Sequence, residues 1–296
     1  MTRSQFRFKT ILVATDLSDF GSCALRYARK IAQLHGSTLI ILYAIDPASY
    51  AFPKGMPDFA ASDQSAREVL KRFEEEIRQQ GIPVHSVVES GVVYERILQA
   101  VVDHQADLLV LGTRATAKVG RVALGEVARR LLASAPCPIL TVPPAAAEHL
   151  DSRNHWRNVL VATDFSIASL AALVRAQSIA SEQLLVIHVT GASGSQDRRR
   201  SLERLRFLVP FNESHTVPVE HFAVPGEAGT AIAEHANRLH ADLVVLGSPL
   251  NELKEEDFHS STVLQVISNV NCPVLCVPPP PAISTAKAME ELALSN

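Results

Sequence analysis

The sequence is short of the features that mark secreted, metal-binding or membrane-spanning chains. It has only four cysteines in 296 residues, Cys23, Cys137, Cys272 and Cys276. They form no C-x-x-C pair and no disulfide framework. They are expected to be reduced and buried as small hydrophobes in a cytoplasmic protein, with no zinc site. No run approaches the ~20 apolar residues of a membrane span. Arg3, Arg7 and Lys9 precede an apolar run that Asp16 cuts short, which does not read as a signal peptide. A net charge of −3 argues against a protein built to bind nucleic acid. The basic run from Asp197 to Arg200, continued by Arg204 and Arg206, alternates with Leu202, Leu205 and Leu208 at helical spacing, so it reads as a solvated helix face. With 47% hydrophobic and 20% charged residues, the chain can bury a sizeable core.

What the sequence does contain is written twice. ILVATDLS (11–18) returns as VLVATDFS (159–166), with Asp16 and Asp164 148 positions apart. ADLLVLGT (106–113) returns as ADLVVLGS (241–248), and PCPILTVPP (136–144) as NCPVLCVPP (271–279), both 135 positions apart. Three matches in one order indicate duplication of a whole domain rather than a short-period solenoid. Domains are expected at 1–146 and 155–280, with a linker at 147–154 and a tail at 281–296; the wider stretch 143–156 has linker composition, rich in Pro, Ala and polar residues.

Each copy reads β-α-β-α-β-α-β-α-β. In the first, residues 9–14 are a buried strand, and Ser18 is placed to cap a helix whose Ala24, Tyr27, Ala28, Ile31 and Leu34 share a face. Gly36 ends that helix. Strand 38–45, helix 64–80, strand 83–89, a helix marked by Tyr94, Ile97, Leu98 and Val101, strand 107–111, helix 125–134 and strand 138–142 follow. Apolar strands alternating with helices imply a parallel sheet covered on both faces, a doubly wound α/β fold. The second copy is ten residues shorter after its second strand, since Tyr43 and His188 lie 145 positions apart but Pro83 and Pro218 only 135. The longer loop, DPASYAFPKGMPDFAAS, is a candidate lid.

On VATD followed by a Ser, on LGT and LGS closing strand four, and on APCPIL and NCPVL entering strand five, the chain resembles the universal stress protein family in its tandem two-domain form. The resemblance implies two Rossmann-like domains, each a five-stranded parallel sheet in the order 3-2-1-4-5. It also implies cytoplasmic action in stress survival and signalling. Some members hold ATP or a related adenine nucleotide, and others bind none. Strand five of such domains often pairs domain to domain, which would make this chain an intramolecular pseudo-dimer, open to further homodimerisation. In that strand order the direction reverses between strands 1 and 4, where ligands sit at the strands' carboxyl ends. Thr15 and Asp16 lie on one side of that crevice and Gly112 on the other. The family's aspartate meets adenosine, and a small residue after strand two meets adenine; the matching positions are Ala44 and, in the second copy, Val189. Asp16 and Asp164 equally suit a helix cap or turn.

Nucleotide-binding members carry G-x2-G-x9-G-[ST]. The first copy offers Gly112, Ala115, Gly125 and Glu126 at that spacing, with Val127 next in the helix. Alanine resists the positive φ that glycine enters freely. A carboxylate at Glu126 competes with phosphate for the helix amides. Arg114, Lys118 and Arg121 supply positive charge on the same loop. The second copy offers Gly247, Leu250, Ser260 and Ser261, with Glu252, Glu255, Glu256 and Asp257 against Lys254, an anionic wall. The expectation is therefore ATP or another adenine nucleotide in the first domain only. The alternatives are a nucleotide-independent scaffold and, third, slow ATP hydrolysis. His188 reads as a satisfied strand histidine, and His104 and His240 as repeated helix-end residues next to carbonyls. No nucleophile or metal set clusters, and neither a nucleic-acid nor a membrane partner is expected.

Overall fold

The computed structural model describes residues 7–46, 59–115, 122–148, 156–191, 195–210, 217–248 and 261–280. The first half runs β1 (Thr10–Ala14), α1 (Asp19–His35), β2 (Thr38–Ile45), α2 (Phe59–Gln79), β3 (Val84–Ser90), α3 (Val93–Asp103) and β4 (Leu108–Gly112). Two short strands, β5 (Arg114–Ala115) and β6 (Val122–Ala123), precede α4 (Glu126–Ser134), β7 (Ile139–Val142) and α5 (Pro144–Glu148). The second half repeats the plan as β8 (Asn158–Ala162), α6 (Ile167–Ile179), β9 (Gln183–Val189), α7 (Ser195–Leu208), β10 (Val219–Val224), α8 (Ala228–Arg238), β11 (Leu243–Gly247), α9 (Thr262–Asn269) and β12 (Val274–Val277).

The strands form one sheet in the order β10-β9-β8-β11-β12-β7-β4-β1-β2-β3. Each half is parallel and follows the order 3-2-1-4-5 among its main strands, while β7 and β12 meet antiparallel. Their register pairs Leu140 with Leu275, Thr141 with Val274 and Ile139 with Cys276. Because Leu140 and Leu275 are themselves matched residues of the repeat, the pseudo-twofold axis passes between them. Thr141 Oγ1 donates across the joint to the Val274 carbonyl (3.3 Å), and Ser248 Oγ donates to the Leu132 carbonyl (3.0 Å). Trp156 Nε1 donates to the Tyr27 hydroxyl (3.0 Å), also joining the halves.

Strand residues alternate between two cores. Ile11, Val13, Leu39 and Ile41 pack under α1 and α2, and their counterparts in the second half pack under α6 and α7. Leu12, Ile40 and Leu42 face the other way, with α3, α4, α8 and α9. Burial on both faces explains why the strands are apolar throughout. Gly36 and Gly81, both at positive φ, end α1 and α2. Cys23, Cys137 and Cys276 are buried, Cys272 is half-buried, and none is disulfide-bonded. Burial pushes the thiols of Cys137, Cys272 and Cys276 up to about 12, so they remain protonated. The arginines of α7 are exposed while Leu205 is buried, as a solvated helix face requires.

Three local differences from the sequence reading have physical causes. Helix α2 starts at Phe59 rather than 64, because Ala60, Ala61 and the residues after them are adequate helix formers without a breaker. The proline- and alanine-rich stretch read as linker begins with a helix, α5, since Pro144 suits a first helical position and three alanines follow. Residues 149–155 and the tail lie outside the described residues. His104 and His240 are not repeat equivalents. His104 matches Leu239, each a C-cap, whereas His240 matches Gln105, both with φ 50°.

Glu227 caps α8, accepting from Gly229 N (3.2 Å) and Thr230 N (2.8 Å). The Thr230 hydrogen bonds, with smaller help from Gly229 and Gln265, hold its carboxyl below the usual glutamate range. A depressed folded pKa gives stability that is present above the unfolded pKa and lost as pH falls through the folded one. Glu227→Ala should therefore cost about 1 kcal/mol at neutral pH. Urea unfolding at successively lower pH should show the gap between variant and parent closing in the acidic range.

Candidate functional site

The sheet reverses direction of winding between β1 and β4, whose register sets Ala14 beside Leu111. Thr15, Asp16 and Gly112 therefore lie at neighbouring strand ends. Thr15 N bonds the Leu42 carbonyl of β2 (3.0 Å), which brings half-buried Ala44, two residues on, to the same end of the sheet.

T-D-x-S forms the same turn in both halves. Thr15 Oγ1 accepts from Leu17 N (3.0 Å), and Asp16 Oδ1 accepts from Ser18 N (3.1 Å) and from the Ser18 hydroxyl. Thr163 Oγ1 accepts from Phe165 N (3.0 Å), and Asp164 Oδ1 from Ser166 N (2.9 Å). These paired bonds hold Leu17 at φ 59° and Phe165 at φ 68°, a region non-glycine residues enter at a cost of about 1 kcal/mol or more. Burial opposes ionisation of Asp164, yet hydrogen bonds from Ser166 and Ser169 keep its carboxyl below the usual aspartate range. The aspartate thus builds the turn in each half, and Ser166 completes the cap of α6 by accepting from Ser169 N (3.2 Å). In the first half the Ser18 hydroxyl donates to Asp16.

The loop from Gly112 to Glu126 leaves β4 through Thr113, whose N–H and hydroxyl both donate to the Val142 carbonyl (3.1 and 3.3 Å). It then folds on itself, Arg114 paired with Ala123 and Ala115 with Val122. Ala115 thus sits in extended backbone, where alanine has no need of glycine's freedom. Lys118 and Arg121 lie outside the described residues. Gly125 is the N-cap of α4 at φ −68°, ψ 161°, with no side chain capping the helix. A Cβ on Gly125 would meet nothing within 4 Å. Neither backbone angle nor packing demands glycine there. Glycine itself offers the first-turn amides no side chain, where serine or aspartate would bond them.

Glu126 does not take those amides. Its carboxylate turns along the helix to Arg129 Nη2 (2.9 Å) and Arg130 Nε (2.8 Å). The Arg130 bond above all, reinforced by Arg129, keeps it ionised to lower pH than usual. Arg130 also lies over the Tyr94 ring, 4.8 Å from its centroid. The negative charge expected to repel a phosphate is therefore neutralised on its own helix. Val127 is half-buried and packs into the α3–α4 core, so only its backbone faces the loop.

At the matching strand end of the second half, helix backbone lies against Gly247. A Cβ on Gly247 would lie 2.5 Å from Ser169 N and 2.6 Å from the Ala168 carbonyl carbon. The first turn of α6 thus rests directly on the end of β11. Buried Ser169 locks this contact through Thr163 Oγ1 (2.9 Å) and the Ser166 carbonyl (3.0 Å). At the repeat spacing of 148 its counterpart is Gly21. His188 Nδ1 bonds the Thr163 carbonyl (2.7 Å) with its ring against Phe165, as a satisfied strand histidine should. Val189 packs into the core. The acidic loop, residues 249–260, is outside the described residues.

Two aspartates that sequence reasoning passed over act at the opposite end of the sheet. Asp107 accepts from Lys9 N (2.7 Å) and Thr10 N (3.1 Å). Asp242 accepts from Arg157 N (3.0 Å) and Asn158 N (2.9 Å). Each ties the start of its half's first strand to the start of the fourth. The repeated Ala-Asp-Leu was the available signal. Among the described residues no His, Cys, Asp or Glu cluster could hold a metal ion, and no helix is long and apolar enough to cross a membrane.

Comparison with known proteins agrees with the duplication. The model of the universal stress protein family matches residues 7–143 and again 155–278. A universal stress protein of Thermus aquaticus, encoded in the QAH/OAS sulfhydrylase 3′ region, is 35% identical over 143 residues, 46% of this chain and 98% of its own length. A universal stress protein of Archaeoglobus fulgidus has a crystal structure that aligns with TM-score 0.75 at 20% identity, over 93% of this chain and 100% of that one. A functionally unknown Pseudomonas aeruginosa protein aligns with TM-score 0.61 at 17% identity, over 98% of each chain.

Proposed function

The chain belongs to the universal stress protein family, and on that premise we propose that its first half binds an adenine nucleotide, ATP or AMP, and its second half does not. The observation that carries this reading is the N-terminus of α4. There Gly125 offers the first-turn amides no capping side chain although neither its φ nor its packing requires glycine, and Glu126 is paired with Arg129 and Arg130. The second half has Ser260 and Ser261 at the matching positions, after a loop carrying Glu252, Glu255, Glu256 and Asp257.

In this reading Thr15 and Asp16 border the adenosine and Ala44 the adenine. Gly112, Arg114, Ala115, Lys118, Gly125, Glu126 and Val127 surround the phosphates, with backbone amides and the basic side chains as donors. Occupancy changes the surface shown to protein partners, and the chain acts in cytoplasmic stress signalling rather than as an enzyme. Any slow ATP turnover is checked with Asp16→Ala, which should abolish it.

Calorimetric titration with ATP, ADP and AMP tests the proposal. Binding at one site per chain is expected. Glu126→Ser removes a carboxylate and releases two arginines beside the phosphates, so it should tighten ATP by about two- to fivefold at low salt. The absence of heat with all three nucleotides would overturn the proposal. It would favour the second reading, a nucleotide-independent scaffold, which draws on the fact that the T-D-x-S side chains already bond their own turns.

A further inference from the structure

Among the described residues, five large hydrophobic side chains are between 49% and 86% exposed. Val92 and Val102 belong to the first half, and Ile167, Val174 and Phe207 to the second. The duplication supplies a reference for each. At the repeat spacings of 148 and 135, the first half has Asp19, Arg26 and Arg72 in place of Ile167, Val174 and Phe207. The second half has Glu227 and Asn237 in place of Val92 and Val102. Every exposed apolar residue thus has a polar or charged twin, so the shared fold does not require any of them. Grouped apolar residues that the fold does not require mark surfaces of contact.

The three in the second half border one basic face. Arg204 of α7 reaches across to the start of α6, its guanidinium carbon 3.8 Å from the centroid of the Phe165 ring. Ile167 follows Phe165 by two residues, and Val174 lies seven further on, along the same side of α6. Arg200, Arg204 and Phe207 share a flank of α7 at spacings of four and seven. Both helices pack on the same side of the sheet. Helix α7 carries five arginines against Asp197 and Glu203. Arg199 pairs with Glu203 (3.3 Å), which leaves positive charge in excess.

Val92 and Val102 stand on a ridge of the opposite sign. At helical spacing Val92, Glu95, Gln99 and Val102 follow one line of α3, with Asp103 beside the last, and all five are exposed. The two valines lie about 15 Å apart along the helix axis, and Ile167 and Val174 about 10 Å. The ridge and the face therefore agree in reach, in apolar character and in complementary charge. They lie on opposite sides of the sheet and in different halves, so one chain cannot join its own pair. The occupant that fits is the ridge of a second copy. A nucleic acid or an anionic membrane suits the arginines less, because the chain as a whole is net negative.

We propose that the α3 ridge of one copy docks on the α6–α7 face of the next, a head-to-tail contact that builds rings or filaments rather than a twofold dimer. Sedimentation equilibrium of the full-length chain over a concentration series tests this. The average mass should rise with concentration beyond that of two chains. The pair Ile167→Asp and Phe207→Asp disables the face, and the pair Val92→Lys and Val102→Lys disables the ridge. Both fall at exposed positions where the other half is polar, so folding should survive, with circular dichroism as the check. Each double variant alone should associate at least about tenfold more weakly than the parent. Mixed in equal amounts, the two should form a complex of two chains and grow no further, since each retains one working side. A parent chain that stays single at every concentration would overturn the proposal. Binding of phosphatidylserine vesicles or of an oligonucleotide, lost on Phe207→Asp, would then assign the basic face to that partner. Double variants that associate as tightly as the parent, or a mixture that fails to associate, would equally overturn it.

Discussion

Gly247→Ala should destabilise the protein by about 3 kcal/mol, at the upper end of overpacking costs, and lower its Tm by roughly 10 °C. The reason is the identity of what the new methyl meets. Ser169 N and the Ala168 carbonyl carbon and oxygen would all lie within 2.9 Å of it. These are backbone atoms in the first turn of a helix, so no rotamer change relieves the overlap. Either α6 lifts from β11, breaking the contact of Ser169 with Thr163, or the end of β11 moves away from its neighbours β8 and β12. Gly125→Ala is the control. With open space around it, it should cost about 1 kcal/mol or less, the difference between glycine and alanine at an N-cap. Thermal unfolding of both variants decides the matter. Equal, small losses would mean that the α6 turn is not seated on Gly247.

Asp107→Ala and Asp242→Ala should each cost about 2–3 kcal/mol, because each removes a carboxylate that takes two backbone N–H groups. The conservative change to asparagine separates the two sites. Asp107 uses both oxygens, one for Lys9 N and one for Thr10 N, so an amide keeps only one of the two bonds. Asp242 serves Arg157 N and Asn158 N with a single oxygen, Oδ2, and an amide oxygen in that place keeps both. Asp107→Asn should therefore cost clearly more than Asp242→Asn in urea unfolding. The reverse order would contradict the hydrogen-bond assignment.

Much of the fold was legible because its strands are buried on both faces and its helices end at turn residues. Gly36, Gly81 and the continuous apolar runs announced themselves without any partner in view. The strand order came from the family resemblance rather than from periodicity. The pairing of β5 with β6 was hidden, since two-residue strands carry no period. Helix α5 was hidden too, since prolines and alanines suit a linker as well as a helix start. At the candidate site, spacing located Gly112 and Gly125 but could not tell a glycine with open space around it, as Gly125 has, from one pressed on backbone, as Gly247 is. Leu17 and Phe165 gave no warning of their positive φ, because the torsion is imposed by the threonine and aspartate before them. Nor could a one-dimensional reading foresee that Glu126 would turn to Arg129 and Arg130. Helical spacing permits that pairing and capping alike.

The joint between β7 and β12 has a consequence for how this chain changes over generations. In a dimer of identical chains, a substitution at a twofold interface is inherited on both sides at once and must suit its own image. Here the two sides are separate codons. Thr141 and Cys276 occupy matched positions of the repeat, as do Ile139 and Val274, yet each pair has already diverged while Leu140 and Leu275 on the axis have not. Fusion lets each half mutate without its twin.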